Sequence, residues 1–275
     1  MNLSEVKLVV TDMDGTLLNS NHQVSDTFYK LFKKMVNQGI IFVAASGRPH
    51  YSIAKKLDAI KNDIIIVSEN GGLVSKRDKT ILSTPLQQKM LLGITTLIDS
   101  LQNAYPVFCG KSKAFVTRTS KPLLDILTEY YPSYQLIKSP NEIDEKIYKV
   151  SLFHEENSEK HIYPYVKHLE AQYKVKTSAK HWVDISDACA NKGYALQHLQ
   201  ELYNISLEET MVFGDYNNDL EMLRLGYFSF AMQNARDDVK QTARFETKSN
   251  DDFGVEHILQ KLLNAKAENK KLNSY

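Results

Sequence analysis

Two cysteines in 275 residues cannot build a disulfide framework, and Cys109 and Cys189 lie in unrelated contexts. That scarcity suits a reducing compartment, so a cytoplasmic location is expected. Long apolar runs are missing: none approaches the roughly 20 residues needed to cross a bilayer. The opening MNLSEVKLVV also lacks the basic segment and apolar stretch of a secretory signal. No membrane is therefore expected as a partner. An excess of one charge is absent as well. Lys and Arg number 34 and Asp and Glu 33, a formal net charge of +1, so no overall field recruits nucleic acid. Specificity for an anion has to come from a local site. No obligate protein partner is evident.

Familiar nucleotide and zinc signatures are missing too. The chain has no G-x-G-x-x-G, and Gly110-Lys111-Ser112 lacks the first P-loop glycine because Tyr105 stands in its place. This weakens a non-enzymatic nucleotide-binding reading. His154-Glu155 opens an H-E-x-x-H, but Ser158 replaces the second histidine, which argues against a zinc hydrolase.

What is present alternates. VKLVV, IIFVAA and DIIIVS read as strands, separated by the helical patterns SDTFYKLFKKMVNQ and PHYSIAKKLDAI. The pattern returns late, with helix NKGYALQHLQELY, strand ETMVFGD, helix NDLEMLRL, strand YFSFAM and helix FGVEHILQKLLNAKAEN. The apolar runs are continuous, so these strands are covered on both faces, as in a parallel sheet of βαβ units. Between the halves the texture changes. KAFVTR, IYKVSLF and YKVKTS are more amphipathic, tyrosines crowd together, and an inserted α+β domain is expected over 83–184, with the core formed by 1–82 and 185–275. The lysine-rich end AKAENKKLNSY reads as a solvated helix tail that frays.

Four stretches carry chemistry. The first is KLVVTDMDGT, where Asp12 ends a buried strand and Asp14 follows one residue later, before Gly15 and Thr16. Ligands of open α/β sheets bind at the carboxyl ends of strands. Paired carboxylates there suit a hard cation such as Mg²⁺, and a nucleophilic aspartate becomes useful if the electrophile is phosphorus. The second is Ser46-Gly47-Arg48 after IIFVAA, able to hold a phosphate oxygen and equally readable as an N-cap with a glycine turn. Arg48 itself reads as a surface or packing arginine. The third is Lys192 at a helix start, the unfavourable end of the dipole, where a bound anion would offset the cost; solvation is the plainer reading of the residue alone. The fourth is Gly214-Asp215-x-x-Asn218-Asp219 after another buried strand. There Asp215 can complete a cation site with Asp12, and Asn218 and Asp219 can orient ligand, water or Lys192.

Together and in this order, Asp12-x-Asp14-Gly15-Thr16, Ser46-Gly47-Arg48, Lys192-Gly193 and Gly214-Asp215-x-x-Asn218-Asp219 resemble the four motifs of the haloacid dehalogenase (HAD) superfamily. The spacing resembles its Cof-type phosphatases, whose α/β cap sits between the second and third motifs. The likeness extends to Asn70-Gly71-Gly72, to Met232 and Asn234, and to Gly254-Val255. It implies an α/β protein: a Rossmann-like, HAD-like parallel-sheet core with an inserted α+β cap. It implies a phosphatase (EC 3.1.3.-) of a small phosphorylated metabolite, a sugar phosphate or similar, with Mg²⁺ as cofactor. Asp12 would attack phosphorus, and Asp14 would protonate the leaving alcohol and then activate water. Mg²⁺ would rest on Asp12, the main-chain carbonyl of Asp14 and Asp215. Lys192, Ser46, Gly47 and Asn218 would hold phosphate, and Asp219 would support the site from behind. Repulsion from Asp12 is expected to raise the Asp14 pKa. A phosphotransferase or sugar-phosphate mutase would use the same aspartyl-phosphate. Arg118, His154, Trp182 and the tyrosines are candidates for leaving-group contacts by composition only.

Overall fold

The expected alternation is present in a computed structural model of the chain, which describes residues 3–77 and 79–272. The first half runs β1 (Leu8–Asp12), α1 (Asp26–Val36), β2 (Ile41–Ala45), α2 (His50–Lys56), β3 (Ile65–Ser68), β4 (Leu73–Lys76) and β5 (Lys79–Ser83). The middle holds α3 (Gln88–Asp99), β6 (Ala104–Gly110), β7 (Ala114–Val116), α4 (Lys121–Tyr130), β8 (Tyr134–Leu136), β9 (Ile147–His154), α5 (Ser158–His161), α6 (Tyr163–Val166), β10 (Tyr173–Ala179) and β11 (Trp182–Asp187). The last part is α7 (Lys192–Tyr203), β12 (Thr210–Gly214), α8 (Leu220–Leu223), β13 (Phe228–Ala231), α9 (Asp237–Thr242), β14 (Phe245–Glu246) and α10 (Gly254–Leu272).

The outer thirds share one eight-stranded sheet in the order β14-β13-β12-β1-β2-β3-β4-β5. Its first six strands are parallel, and β4 and β5 close it as an antiparallel hairpin. Every residue of β1, β3, β12 and β13 is buried, which explains why these segments are apolar without alternation. Local signals fix the helix entries. Ser25 caps α1 by accepting from the Phe28 N–H at 3.0 Å, Asp26 opens its first turn and Lys33 and Lys34 sit in its last. In register, β1 places Thr11 opposite Phe213 of β12 and Asp12 opposite Ala45 of β2. The carboxyl ends of the three central strands therefore converge.

The middle segment builds its own six-stranded sheet, in the order β10-β11-β9-β6-β7-β8. Its strands alternate. Phe108, Val150, Leu152, Val183 and Ile185 pack in one cluster with side chains of α3 and α6. Val107, Cys109 and Phe153 lie on the other face with α4 residues Leu123 and Leu127. The return to the core follows Asp187, the end of β11, a little beyond Asp184. The C-terminal helix is tied down where a frayed tail was expected: Lys266 donates to the Ser4 carbonyl at 2.7 Å, and the helix continues to Leu272. The last part of that expectation, Asn273 to Tyr275, lies outside the described residues.

Phe42 of β2 sits in a ring cluster with Phe28 and Phe32 of α1, at centroid separations of 5.2 and 5.7 Å. Phe42→Ala should destabilise the core by about 3–5 kcal/mol, because the surrounding strands and helix cannot collapse into the space. Urea unfolding of the two proteins checks this, and a loss well under 1 kcal/mol would contradict the packing described.

Candidate active site

Three adjacent strand ends supply Asp12 (β1), Ser46 (β2) and Asp215 (β12) to one edge of the core sheet. Gly15 turns the chain there with φ +79°, and a Cβ at this position would collide with the Asp215 carboxylate. Only glycine meets both demands. The turn is held from two sides: the Thr16 hydroxyl donates to Asp215 Oδ1 at 2.9 Å, and the Asn234 amide donates to the Gly15 carbonyl at 2.8 Å.

Lys192 opens α7 with only 1% of its surface exposed. The anions that compensate it are carboxylates of the chain itself. Its ammonium donates to Asp12 Oδ1 and, at 2.7 Å, to Asp219 Oδ1. Asp219 is fully buried, and its second oxygen accepts from the backbone N–H groups of Asp215 (3.0 Å) and Tyr216 (3.1 Å). One side chain thus fixes both the lysine and the loop that presents Asp215.

Carboxylate oxygens of Asp12, Asp215 and Asp219 lie within 4.8 Å of one another. Burial pushes the Asp215 carboxyl up to about 6, with repulsion from Asp219 adding to the rise. Burial likewise raises Asp12 well above the carboxylate range; Lys192 opposes this, while Asp219 and Asp215 reinforce it. Burial lowers the Lys192 ammonium, but Asp12 and Asp219 outweigh it and the net shift is upward. Three acids against one ammonium leave the cluster short of positive charge. Asp219 has committed both oxygens, so Asp12 and Asp215 are the carboxylates left to face an ion. A hard divalent cation fits this all-oxygen donor set.

Asp14 differs from the expectation. Its carboxylate is gripped by Arg48 through two contacts of 2.6 Å, with His22 Nδ1 at 3.3 Å. Burial alone would raise its pKa, but the Arg48 guanidinium and His22 outweigh it and hold the group below its usual value. The repulsion from Asp12 anticipated from sequence loses to a bidentate ion pair. Arg48 is accordingly buried rather than a surface group, and its guanidinium also lies 4.9 Å from the Tyr130 ring centre. Its place directly after the strand-ending Ser46-Gly47 was the signal for a site residue.

Ser46 uses its hydroxyl locally, accepting from the Arg48 N–H at 3.1 Å. Gly47 packs against Asn70, whose Oδ1 accepts from Asn218 Nδ2 at 2.8 Å. Asn218 therefore reaches the same corner as Ser46 and Gly47. The Gly47 carbonyl accepts from Lys149 of β9 at 2.9 Å, and Lys149 pairs with buried Glu69 at 2.8 Å. These contacts bring the inserted sheet over the strand ends and enclose a cavity of about 520 Å³. Asp12, Asp14 and Asp215 lie on its core side, and Ser151, Trp182 and Asp184 on the other. Of the residues singled out by composition, Trp182, Tyr130 and Tyr131 line it. Arg118 instead donates to the Ile98, Leu101 and Ala104 carbonyls, and His154 is buried against His161 at 4.5 Å between ring centres.

An acid cluster with a buried lysine, at strand ends roofed by an inserted sheet, is the arrangement of an α/β hydrolase of small substrates. The chain belongs to the haloacid dehalogenase-like hydrolase family, whose model matches residues 9–259. It is similar to the 5-amino-6-(5-phospho-D-ribitylamino)uracil phosphatase YbjI of Escherichia coli, at 29% identity over 95% of this chain and 98% of that protein. It is equally similar to the phosphatase YwpJ of Bacillus subtilis, 29% identical over 94% of this chain and all of the other (100%). Among solved structures, SMU.1108c of Streptococcus mutans superposes with a TM-score of 0.84 at 28% identity, covering 94% of this chain and 99% of that one. The chain is a phosphatase of this family, and its substrate is small and phosphorylated.

The Arg48–Asp14 pair makes a spectroscopic prediction. Removing the guanidinium in Arg48→Met leaves only His22 to oppose the effect of burial on Asp14, so its pKa should rise. Carbon-detected NMR titration of the Asp14 carboxyl should show the rise, and an unchanged midpoint would mean Arg48 does not set it.

Proposed function

We propose that the protein is a Mg²⁺-dependent phosphomonoesterase of the cytoplasm working through an aspartyl-phosphate on Asp12. Its substrate is a small phosphorylated metabolite, a sugar phosphate or similar. The observation that carries this is the Lys192–Asp12–Asp219 contact beside Asp215. It presents a carboxylate in a fixed orientation, with one oxygen steadied by an ammonium, in a cluster that needs further positive charge. Asp12, Asp215 and the main-chain carbonyl of Asp14 would hold Mg²⁺, which would supply that charge and shield the repulsion between carboxylate and phosphate.

Within this reading, an Asp12 oxygen forms a bond to phosphorus as the bond to the ester oxygen breaks. Lys192, the Ser46 hydroxyl, the Gly47 N–H and the Asn218 amide hold the oxygens of the transferring group, and their fixed placement lowers the barrier more than water could. Asp14 gives a proton to the departing oxygen, then removes one from the water that attacks the aspartyl-phosphate and restores the Asp12 carboxylate. Arg48 holds Asp14 ionised, the form needed in the second step. For the first step Asp14 has to leave the guanidinium fork, accept a proton and turn toward the ester. Asp219 keeps Lys192 and the Asp215 loop in place. The inserted segment 83–184 acts as a cap that selects the leaving group, since Trp182, Ser151 and Asp184 line the cavity away from the acids.

Activity should vanish in excess chelator and return with Mg²⁺. Full turnover in chelator would refute the metal requirement. Asp12→Asn should form no acid-stable, hydroxylamine-sensitive label with any substrate. Asp14→Asn should lose about 10²–10⁴-fold in first-step rate on an alkyl or sugar phosphate, and clearly less on nitrophenyl phosphate, whose leaving group needs little protonation. Equal losses on the two, read by rapid quench, would mean the two acids are assigned wrongly.

A further inference from the structure

A row of lysines on the inserted sheet is not used by the chemistry above. On β10, Tyr173 and Val175 pack against the apolar cluster shared with α3 and α6. By alternation Lys174, Lys176 and Ser178 face the opposite way, toward the core sheet. These three line a recess of about 90 Å³ together with Asn70, Asn218 and Ser186. The recess adjoins the larger cavity: Lys149, Ser178, Asp184, Tyr216 and Asn218 border both.

The charges around it are unevenly matched. Lys149 is neutralised by Glu69, and Asp184 accepts from the Ser151 hydroxyl at 2.7 Å. Among the described residues no carboxylate lies within 4.0 Å of the ammonium of Lys174 or Lys176. Lys174 has only the Ala190 carbonyl, at 3.4 Å. Burial depresses the Lys174 ammonium; Glu221 opposes this, and its neighbour Lys176 adds a smaller downward push. Two half-buried lysines on one strand face beside the cavity, whose nearest opposing carboxylates (Glu221, and Asp184 across the strand pair) make no ion pair with them, leave room for a further anion.

We propose that this recess is a second anion subsite, in which Lys174 and Lys176 hold a carboxylate or second phosphate carried by the leaving group. The assignment rests on the phosphatase reading and narrows its substrate to phosphate esters with two anionic ends. Asn70 and Asn218, already joined by a hydrogen bond, border both the phosphate corner and this recess, so they set the span between the two anions.

Matched ester pairs test it. One arm compares phosphoglycerate with glycerol phosphate, the other fructose bisphosphate with fructose monophosphate, so the two arms separate a carboxylate from a phosphate. In at least one arm kcat/KM should favour the doubly anionic ester by on the order of tenfold or more, chiefly through KM. Added salt should weaken the preference. Lys174→Met with Lys176→Met should bring the ratio of the two esters close to one, Lys176→Gln alone should reduce it, and the paired arginine substitutions should retain it. No preference in either arm, or one that survives both the methionine and glutamine changes, overturns the subsite. Failure of the unaltered protein to turn over any phosphomonoester, nitrophenyl phosphate included, would instead overturn the phosphatase reading and the subsite with it.

Discussion

A buried ammonium between two carboxylates organises this molecule. Lys192 stands at the head of a helix, where its charge opposes the dipole, and is almost wholly removed from water. Such a placement is tolerable only because Asp12 and Asp219 meet it from two other elements. Removing one partner from a buried pair of this kind costs about 3–5 kcal/mol, since the remaining charge stays desolvated. The carboxyl end of β1, the start of α7 and the loop after β12 are thereby held in one arrangement. The same contact that satisfies the lysine aims Asp12 into the cavity.

A net excess of acid around that contact is kept deliberately unbalanced by the fold. Desolvation raises Asp12 and Asp215 together, whereas Asp14, two residues from Asp12, is held down by Arg48. Two aspartates of identical chemistry thus differ because burial prevails over Lys192 at one, with nearby acids adding to it, while at the other a guanidinium prevails over burial. Division of labour between neighbouring carboxylates follows from environment rather than residue type.

Much of the core was legible from sequence. Continuous apolar runs ending in Asp12, Ser46 and Gly214-Asp215 identify buried parallel strands and mark which of their ends is polar, and glycine with asparagine or aspartate marks the turns. The ion pairs that complete the site were not legible. Arg48 reaches Asp14 across 34 positions and Lys149 reaches Glu69 across the whole start of the insertion, and neither carries a local periodicity. The inserted sheet hid its orientation for a similar reason. Alternation in YKVKTS separates Lys174 and Lys176 from Val175, but which set meets the core depends on where α3 and α6 pack. Lys192 shows the limit from the other side: its helix-start position called for an anion, and the anions turned out to be internal.

Lys149 joins the two sheets at a sensitive place. From β9 of the inserted sheet it grips the carbonyl of Gly47, in the turn that also carries Ser46 and Arg48, while Glu69 holds it from beneath. The peptide whose carbonyl it grips carries the Arg48 N–H that Ser46 accepts from, and the Arg48 side chain holds Asp14. The inserted sheet and this turn are therefore linked like a lever and its bearing. The roof of the cavity and the turn that carries Ser46 and Arg48 share one anchor, so a substitution at Lys149 reaches both.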